Sequence, residues 1–482
     1  MKTNATSATG QVKQLLNDKA WARWTALVLV ASMMLFAYMF VDVMSPLQSL
    51  VQTQRGWSPD AFGYYAGAEY ILNVFGFLIL AGIILDKMGI RFTGTLSASL
   101  MVGGALVKLY ALSDGFEGTA LEQWLSSWWT VMPGSAKLAA LGFMVFGCGC
   151  EMAGITVSKA LAKWFEGKEM ALAMGLEMAI ARVGVFAIFS ISPRLADWGG
   201  TPSVVTPVAF CSALLCIGLL CYIVFTFMDT KLDHEMGAAR LAQEESSEEE
   251  FKLSDVSAIF SSRLFWIIAM LCVLYYSAIF PFQRYAANML QCNLGISETQ
   301  ASDIFRWFPI GAACLTPFLG WFLDHKGKGA TMLIFGAILM IVCHLTFAFV
   351  VPATRSELIT YSAIVVLGIS FSLVPASLWP SVPKVMDKRF LGSAYSLIFW
   401  VQNIGLAFVP IIIGNVLSAT NPGIDDPMKY DYTAPMCVFA SLGVLALIFG
   451  IILKAMDARH HYGLEKPNIA KDYEEMRIDG EA

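Results

Sequence analysis

Long apolar segments alternate with short polar connections along most of the chain, and this pattern predicts membrane-spanning helices. Each segment has about 18 or more residues with few charges, which is the length a helix needs to cross the hydrocarbon core of a bilayer. The segments cover residues 24–50, 59–85, 92–112, 136–161, 170–190, 204–228, 264–290, 298–323, 330–350, 358–385, 390–417 and 433–456. We therefore expect an all-α membrane protein of twelve transmembrane helices.

One long polar stretch divides these helices into two bundles. Residues 229–263 hold nine acidic and four basic residues and separate six predicted helices (24–228) from six others (264–456). We interpret this stretch as a solvated cytoplasmic linker. Polar tails, residues 1–23 and 457–482, flank the bundles. Because the number of crossings is even, both tails lie on the same side of the membrane.

Composition excludes several classes of protein. Hydrophobic residues make up 57% of the 482 residues and charged residues 14%, whereas soluble domains have about 25% charged residues. Nearly all of the ten cysteines fall within apolar runs, and they lack the paired spacing of metal ligands. The sequence shows no nucleophile–base set and no phosphate-binding loop. We expect neither an enzyme, nor a cofactor or metal, nor a nucleic-acid partner.

The distribution of basic residues predicts the orientation in the membrane. Most of the 32 Lys and Arg residues lie in the tails, in the linker and in loops on the same side as the tails. Short loops rich in Lys and Arg remain cytoplasmic, so both termini are predicted to be cytoplasmic. The first 20 residues lack the features of a cleavable signal peptide. We expect the inner membrane of a bacterium, or the lysosomal membrane if the protein is eukaryotic.

The two bundles contain an internal repeat. The loop after the second predicted helix, residues 82–91 (GIILDKMGIR), matches the loop after the eighth, residues 320–327 (GWFLDHKG), at a separation of 238 residues. Helices 4 and 5 align with helices 10 and 11 at an offset of 221, which places Gly147 on Gly368. Repeats of this kind are typical of transporters with two pseudo-symmetric halves.

Two six-helix halves with G-x-x-x-D-(R/K)-x-G-x-(R/K), or a remnant of it, between their second and third helices resemble the major facilitator superfamily. The resemblance implies alternating access and a loop that holds the two halves together on the cytoplasmic side. The predicted gating residues are Asp86, Lys87, Gly89 and Arg91 in the first copy and Asp324 in the second. A simple topological turn is the alternative for each copy.

Two charged residues lie deep inside predicted helices. Glu151 in helix 4 and Arg182 in helix 5 are 15 and 16 residues from the turn near residue 166, which is about 23 Å along each helix. A charge at the bilayer centre costs about 2.5–3.5 kcal/mol on insertion scales, so each residue is a candidate for function. A cavity with one carboxylate and one guanidinium is complementary to a small zwitterion. A structural ion pair between the two is the alternative.

The repeat assigns neutral groups to the equivalent positions of the second half. Ser372 corresponds to Glu151, and Asn403, with Gln402 beside it, corresponds to Arg182. One half would then hold the charged termini of a substrate, while the other would offer hydrogen bonds to its variable body. We predict that these three polar residues line the substrate site.

Further segments resemble one branch of the superfamily, the lysosomal dipeptide transporter family of major facilitator superfamily domain-containing protein one. These segments are VFG (145–147) with Glu151, WFEGKE (164–169), ARVG (181–184), YY (275–276), FPF (280–282), SLWP (377–380), LGSAY (391–395) and QNIGLA (402–407). The resemblance implies dipeptide transport, with Glu151 binding the amine of the peptide and Arg182 its carboxylate. The aromatic residues that it implies for the side-chain pocket are Tyr275, Tyr276, Phe280 and Trp379.

Helix 1 lacks the E-x-x-E-R motif of proton-coupled oligopeptide transporters, so we predict a uniporter. We expect a monomer in the lipid bilayer and do not assume the accessory subunit of the animal members. Two other functions stay open. One is an organic-anion carrier in which Arg182 binds the anion and Glu151 carries a coupling proton. The other is a receptor or scaffold that uses the acidic linker and tails.

Other charged residues fall toward the outer ends of helices. We predict that they form a gate that breaks and re-forms during transport, with snorkelling to the interface as the alternative. These residues are Asp42, Glu69, Arg284, Asp303 and Arg306. Lys108 is predicted to snorkel.

Overall fold

The computed structural model describes residues 15–237, 259–386 and 391–467, which form helices joined by short connections. The main helices are α1 (Ala20–Asp42), α2 (Gln48–Arg55), α3 (Pro59–Val74), α4 (Phe77–Leu112), α5 (Ala120–Ser126), α6 (Gly134–Trp164), α7 (Met170–Ala196), α8 (Val205–Met236), α9 (Arg263–Leu294), α10 (Glu298–Phe305), α11 (Trp307–Lys326), α12 (Gly329–Leu345), α13 (Val351–Thr354), α14 (Glu357–Val385), α15 (Leu391–Thr420) and α16 (Thr433–His460). The predicted all-α fold is confirmed. Most of the predicted linker, residues 238–258, and the ends of both tails lie outside the described residues.

Glycines interrupt the second crossing and separate it from the third. In the described chain, ten helical stretches are long and apolar enough to span a membrane alone. The second crossing instead joins α3 to the start of α4 through Gly76, whose φ of +94° favours glycine. Gly89, with a φ of +73°, then breaks α4 at the turn between the second and third crossings. The eighth crossing is likewise assembled from two helices, α10 and α11.

The crossings form two halves, α1–α8 and α9–α16, packed against each other. We call the side where α1 begins and α16 ends the terminal face, and the opposite side the far face. Between the halves, α3 packs on α15, and α7 packs on α10 and α11. The sixth crossing, α8, continues to Met236, so residues 229–236 are helical and not part of a solvated linker.

Polar contacts join the halves from the far face down to the middle of the bundle. Ser49 Oγ donates a hydrogen bond to Gln291 Oε1 at 2.7 Å, and Trp400 Nε1 donates to the Val74 carbonyl at 2.8 Å. Arg194 and Asp303 form an ion pair of 2.7 Å between α7 and α10. The far side of the structure is therefore closed by direct contact between the halves.

Candidate functional site

Glu151 and Arg182 lie at the middle of the bundle, as their positions in the sequence predict. Each is near the centre of its helix, α6 or α7, and each side chain is partly exposed. Within the described residues, no ion pair or hydrogen bond joins them or connects either to another side chain. The structure thus does not support the alternative of a structural ion pair. Two side chains of opposite charge that lack an ion-pair or hydrogen-bond partner in the described part of the chain are available to a ligand.

The guanidinium of Arg182 faces aromatic rings from both halves. Its Cζ lies 5.8 Å from the ring centre of Tyr38 in α1, 5.5 Å from that of Phe280 in α9 and 5.9 Å from that of Phe371 in α14. A cation over aromatic faces is stabilised by their quadrupoles while its N–H groups stay free to donate. Arg182 can therefore bind a carboxylate between the two halves.

Three of the predicted pocket aromatics form a continuous wall beside Arg182. The rings of Phe280 and Tyr276 stack with centroids 5.6 Å apart. Trp379 Nε1 donates a hydrogen bond of 3.1 Å to the Tyr276 hydroxyl. The side chains of all three are partly exposed. This wall offers a large apolar surface with few fixed polar groups, which suits a variable side chain of a ligand.

Other predicted site residues are directed into the protein and away from this wall. Tyr275 is fully buried, and its hydroxyl donates to the Leu333 carbonyl. The Ser372 hydroxyl, also fully buried, donates to the Gly368 carbonyl at 2.7 Å. Both residues pack in the core of the second half because their polar atoms are satisfied by neighbouring backbone. We omit them from the candidate site.

The amides of α15 are also engaged inside the second half. Gln402 Oε1 accepts from the Cys272 thiol at 3.2 Å, and Asn403 Nδ2 donates to the Phe399 carbonyl at 2.9 Å. Asn403 Oδ1 is buried without a partner among the described residues. In this conformation, Asn403 therefore retains one acceptor for a ligand, while Gln402 is hydrogen-bonded to Cys272 of α9.

Sequence reasoning missed several residues of the site. Tyr38 lies within electrostatic range of Arg182, Glu151 and Glu177, and Glu177 of α7 is partly exposed. The signal for Glu177 was an acidic residue near the middle of a predicted helix. For Tyr38 the signal was its place one turn from Asp42 on the same helix face.

Three of the five residues predicted to form a gate meet in a buried ion cluster between the halves, which we call the gate. Arg284 Nη1 lies 3.1 Å from Asp42 Oδ1, and Nη2 lies 2.5 Å from Glu69 Oε2. The three side chains are at most 8% exposed. Gln283 Nε2 donates to Asp42 Oδ2 at 2.6 Å. The cluster joins α1 and α3 of the first half to α9 of the second.

The gate lies directly beside the candidate site. Side chains one helical turn apart share a face, so the turn below the gate presents the next residues of the same three helices. Toward the terminal face these are Tyr38 in α1, Asn73 in α3 and Phe280 in α9. The gate therefore covers the site on its far side, with a separation of about one turn, or 5–6 Å.

The prediction that Lys108 snorkels is wrong. The side chain is fully buried, and Nζ has no hydrogen-bond partner among the described residues. It lies 4.3 Å from the ring centre of Phe40, 4.7 Å from Phe143 and 5.1 Å from Tyr65. These rings stabilise the ammonium group inside the first half. The Lys108 side chain therefore does not reach the membrane interface.

The loop motif of the first half contacts its own half. Asp86 pairs with Lys159 of α6 at 3.2 Å, and Arg91 pairs with Asp233 of α8 at 2.9 Å. The Lys87 side chain is exposed. These contacts fix the loop to neighbouring helices at the terminal face.

The second copy of the motif lies beneath the C-terminal segment, by which we mean residues 461–467 after α16. Asp324 is partly exposed and within electrostatic range of Lys384. Glu465 accepts from the backbone N–H of Thr331 and from its hydroxyl, both at 2.8 Å. A Cβ at Gly327 would lie 2.5 Å from the Glu465 carbonyl oxygen, so only glycine fits below this segment.

Comparison with known proteins places this architecture in a family. The model of the Major Facilitator Superfamily matches residues 30–290 and 285–472. The chain belongs to this superfamily. It is a multi-pass membrane transporter by that membership.

Curated relatives carry one common name, lysosomal dipeptide transporter MFSD1. The cattle protein (Bos taurus) is 26% identical over 98% of this chain and 94% of its own length. The zebrafish protein (Danio rerio) is 29% identical over 79% of this chain and 77% of its own, and the human protein 27% over 86% and 84%.

Solved structures share the fold at low identity. The nucleoside transporter NupG has a TM-score of 0.68 at 14% identity, covering 90% of this chain and 98% of its own. A bacterial homologue of the human lysosomal transporter Spinster, in an inward-facing and occupied conformation, has a TM-score of 0.64 at 13% identity, covering 90% and 97%. These likenesses confirm the fold of two six-helix halves.

Proposed function

We propose that this protein is an alternating-access uniporter of dipeptides or similar small zwitterionic peptides. Glu151 binds the amine of the substrate and Arg182 its carboxylate, while Tyr276, Phe280 and Trp379 contact its side chains. The names of the relatives agree with this substrate class. In the proposed orientation the terminal face is cytoplasmic, so contacts between the halves close the side away from the cytoplasm.

The observation that carries the proposal is a pair of opposite charges at one depth that have no ion-pair or hydrogen-bond partner among the described residues. A dipeptide carries an ammonium group on its first residue and a carboxylate on its second. Desolvating both groups is costly unless each meets an opposite charge. Arg182 can offer a bidentate contact that a lysine could not. Glu151 supplies a charge of opposite sign at the same depth, and both side chains remain partly exposed for a ligand.

Uptake of a labelled dipeptide into proteoliposomes tests the proposal. Glu151→Gln and Arg182→Ala each remove a charge-assisted hydrogen bond, so each should lower dipeptide affinity at least about tenfold. The matched controls are Glu166→Gln and Arg459→Ala, since both residues are exposed and lie at the terminal face. The controls should transport like the parent protein.

Competition by unlabelled compounds distinguishes the substrate classes. Dipeptides should compete, and free amino acids and dicarboxylates should compete poorly because they cannot span the two charges in the same way. Undiminished transport by both Glu151→Gln and Arg182→Ala would refute the site. Proton-driven uptake of an organic anion, lost in Glu151→Gln while exchange survives, would identify the organic-anion carrier instead.

A further inference from the structure

An unpartnered amide lies next to the charged pair. Asn73 of α3 is 0% exposed, and neither Nδ2 nor Oδ1 has a hydrogen-bond partner within the described residues. Among the buried side-chain amides of those residues, it alone lacks a partner on both atoms. Buried polar groups are nearly always paired, so an amide with two free positions requires an explanation.

Close contact between α3 and α6 fixes the position of this amide. A Cβ at Gly147 would collide with the carbonyl oxygen of Glu69, so the two helices touch at these residues. Both helices run from the far face toward the terminal face. Four residues further along each, about 6 Å, are Asn73 and Glu151. The amide and the carboxylate therefore occupy neighbouring positions at one depth.

The layer around Asn73 is the layer of the candidate site. It is one turn below Glu69 of the gate, at the level of Tyr38 and Phe280 in the neighbouring helices. Both of these rings lie within 6 Å of the guanidinium of Arg182. A ligand that extends from Glu151 to Arg182 must pass through this layer.

A dipeptide held by its two charged ends carries a peptide group between them. That group has one N–H donor and one C=O acceptor, and burying it without partners is costly. The N–H and C=O of a trans peptide group point in opposite directions, so one side chain can bond only one of them. An asparagine Oδ1 is an acceptor that suits the N–H. We propose that Asn73 Oδ1 accepts a hydrogen bond from the peptide N–H of the substrate.

This inference rests on the proposed function and deepens it. The charges of Glu151 and Arg182 recognise any zwitterion of suitable length, whereas Asn73 recognises the peptide bond itself. A site that must satisfy a buried amide discriminates strongly against a ligand that lacks the matching group. Asn73 is thus the residue that makes the site selective for peptides.

An ester analogue tests this role. In alanyl-lactate the peptide N–H of alanyl-alanine is replaced by oxygen, while both charged ends remain. Competition against a labelled dipeptide gives the affinity of each compound for purified, reconstituted protein. The parent protein should prefer the amide by about tenfold. Asn73→Leu, which keeps the branching at Cγ but has no polar atoms, should bind the amide more weakly and reduce this preference to near unity.

Asn293→Leu is the matched control. Asn293 is also a buried amide, but its Nδ2 donates to the Phe347 carbonyl at 2.9 Å within the second half, near the far end of α9. This variant should retain the preference for the amide. Asn73→Ser provides a second variant at the site with a smaller change in packing.

The outcomes separate this inference from the proposed function. If neither compound competes with the labelled dipeptide for the parent protein, the dipeptide function itself is refuted. If dipeptides compete but the parent protein binds amide and ester equally, the role of Asn73 is refuted, whether or not its variants fold. Full retention of the amide preference in Asn73→Leu would also refute it.

Discussion

Removing Arg284 should open the far face, because this residue neutralises two buried carboxylates. Asp42 and Glu69 are 2% and 4% exposed in their side chains and depend on one guanidinium. Removing one partner of a buried ion pair costs about 3–5 kcal/mol. In a far-open state both carboxylates become hydrated, so the cost falls on the closed state. At 1.4 kcal/mol per factor of ten, Arg284→Met should increase the far-open population at least about 100-fold.

A cysteine in place of Ser49 reports this opening. Ser49 is 7% exposed and contacts Gln291 of the other half, so its alkylation by a membrane-impermeant maleimide requires separation of the halves. The rate, corrected for the native cysteines in a protein without the reporter, should rise at least about 100-fold in Arg284→Met.

Two comparisons decide whether the buried charge causes the effect. Arg194→Met removes an ion pair between the same halves, but the Arg194 side chain is 51% exposed. Exposed pairs contribute at most about 1 kcal/mol, so the alkylation rate should change less than about fivefold. Adding Asp42→Asn and Glu69→Gln to Arg284→Met should return the rate toward that of the parent protein. An unchanged rate in Arg284→Met alone would refute the reasoning.

Two further changes test local energetics. Lys108→Met keeps the length of the side chain but removes a buried charge without a hydrogen-bond partner among the described residues. The melting temperature, followed by tryptophan fluorescence, should therefore rise by about 2–4 °C. A lower melting temperature would show that the cation–π contacts outweigh the cost of desolvation. Glu465→Ala removes the acceptor that caps α12 at Thr331, so amide exchange at residues 329–333 should accelerate about fivefold, whereas Glu465→Gln should change it little.

The fold was predictable because membrane helices depend on local sequence. Apolar length alone places the crossings, and the loop repeat at 82–91 and 320–327 divides them into two halves. The breaks near Gly76 and between α10 and α11 were missed, since apolar segments on both sides of a break are equally hydrophobic. The continuation of α8 to Met236 was missed because its last turns are polar. Asp229 and Asp233 in those turns form ion pairs with Lys163 and Arg91, which no local pattern reveals.

The site was predictable where a residue is unusual in its surroundings. Glu151 and Arg182 are conspicuous because charge is rare in membrane helices. Tyr275 and Tyr276 are adjacent and chemically identical, yet successive helix positions are rotated by about 100°, and only Tyr276 joins the wall beside Arg182. Asn73 attracted no attention because an uncharged amide in a helix is ordinary. Its significance depends on the lack of a hydrogen-bond partner for both of its side-chain polar atoms among the described residues. Only the packed structure reveals this.

The strength of the gate implies a balancing interaction elsewhere. An alternating-access carrier that works without a coupling ion, as proposed for this protein, must also change state when empty, so its two states cannot differ by more than a few kcal/mol. The Arg284 cluster alone contributes on that scale to the far-closed state. The far-open state therefore needs contacts of comparable free energy at the terminal face. The loop motif lies there, and Asp86 and Arg91 now pair within their own half. Exchange of those pairs for contacts with the second half would offset the free energy that the gate contributes to the far-closed state. A substrate would then shift the equilibrium only through its different affinity for the two states.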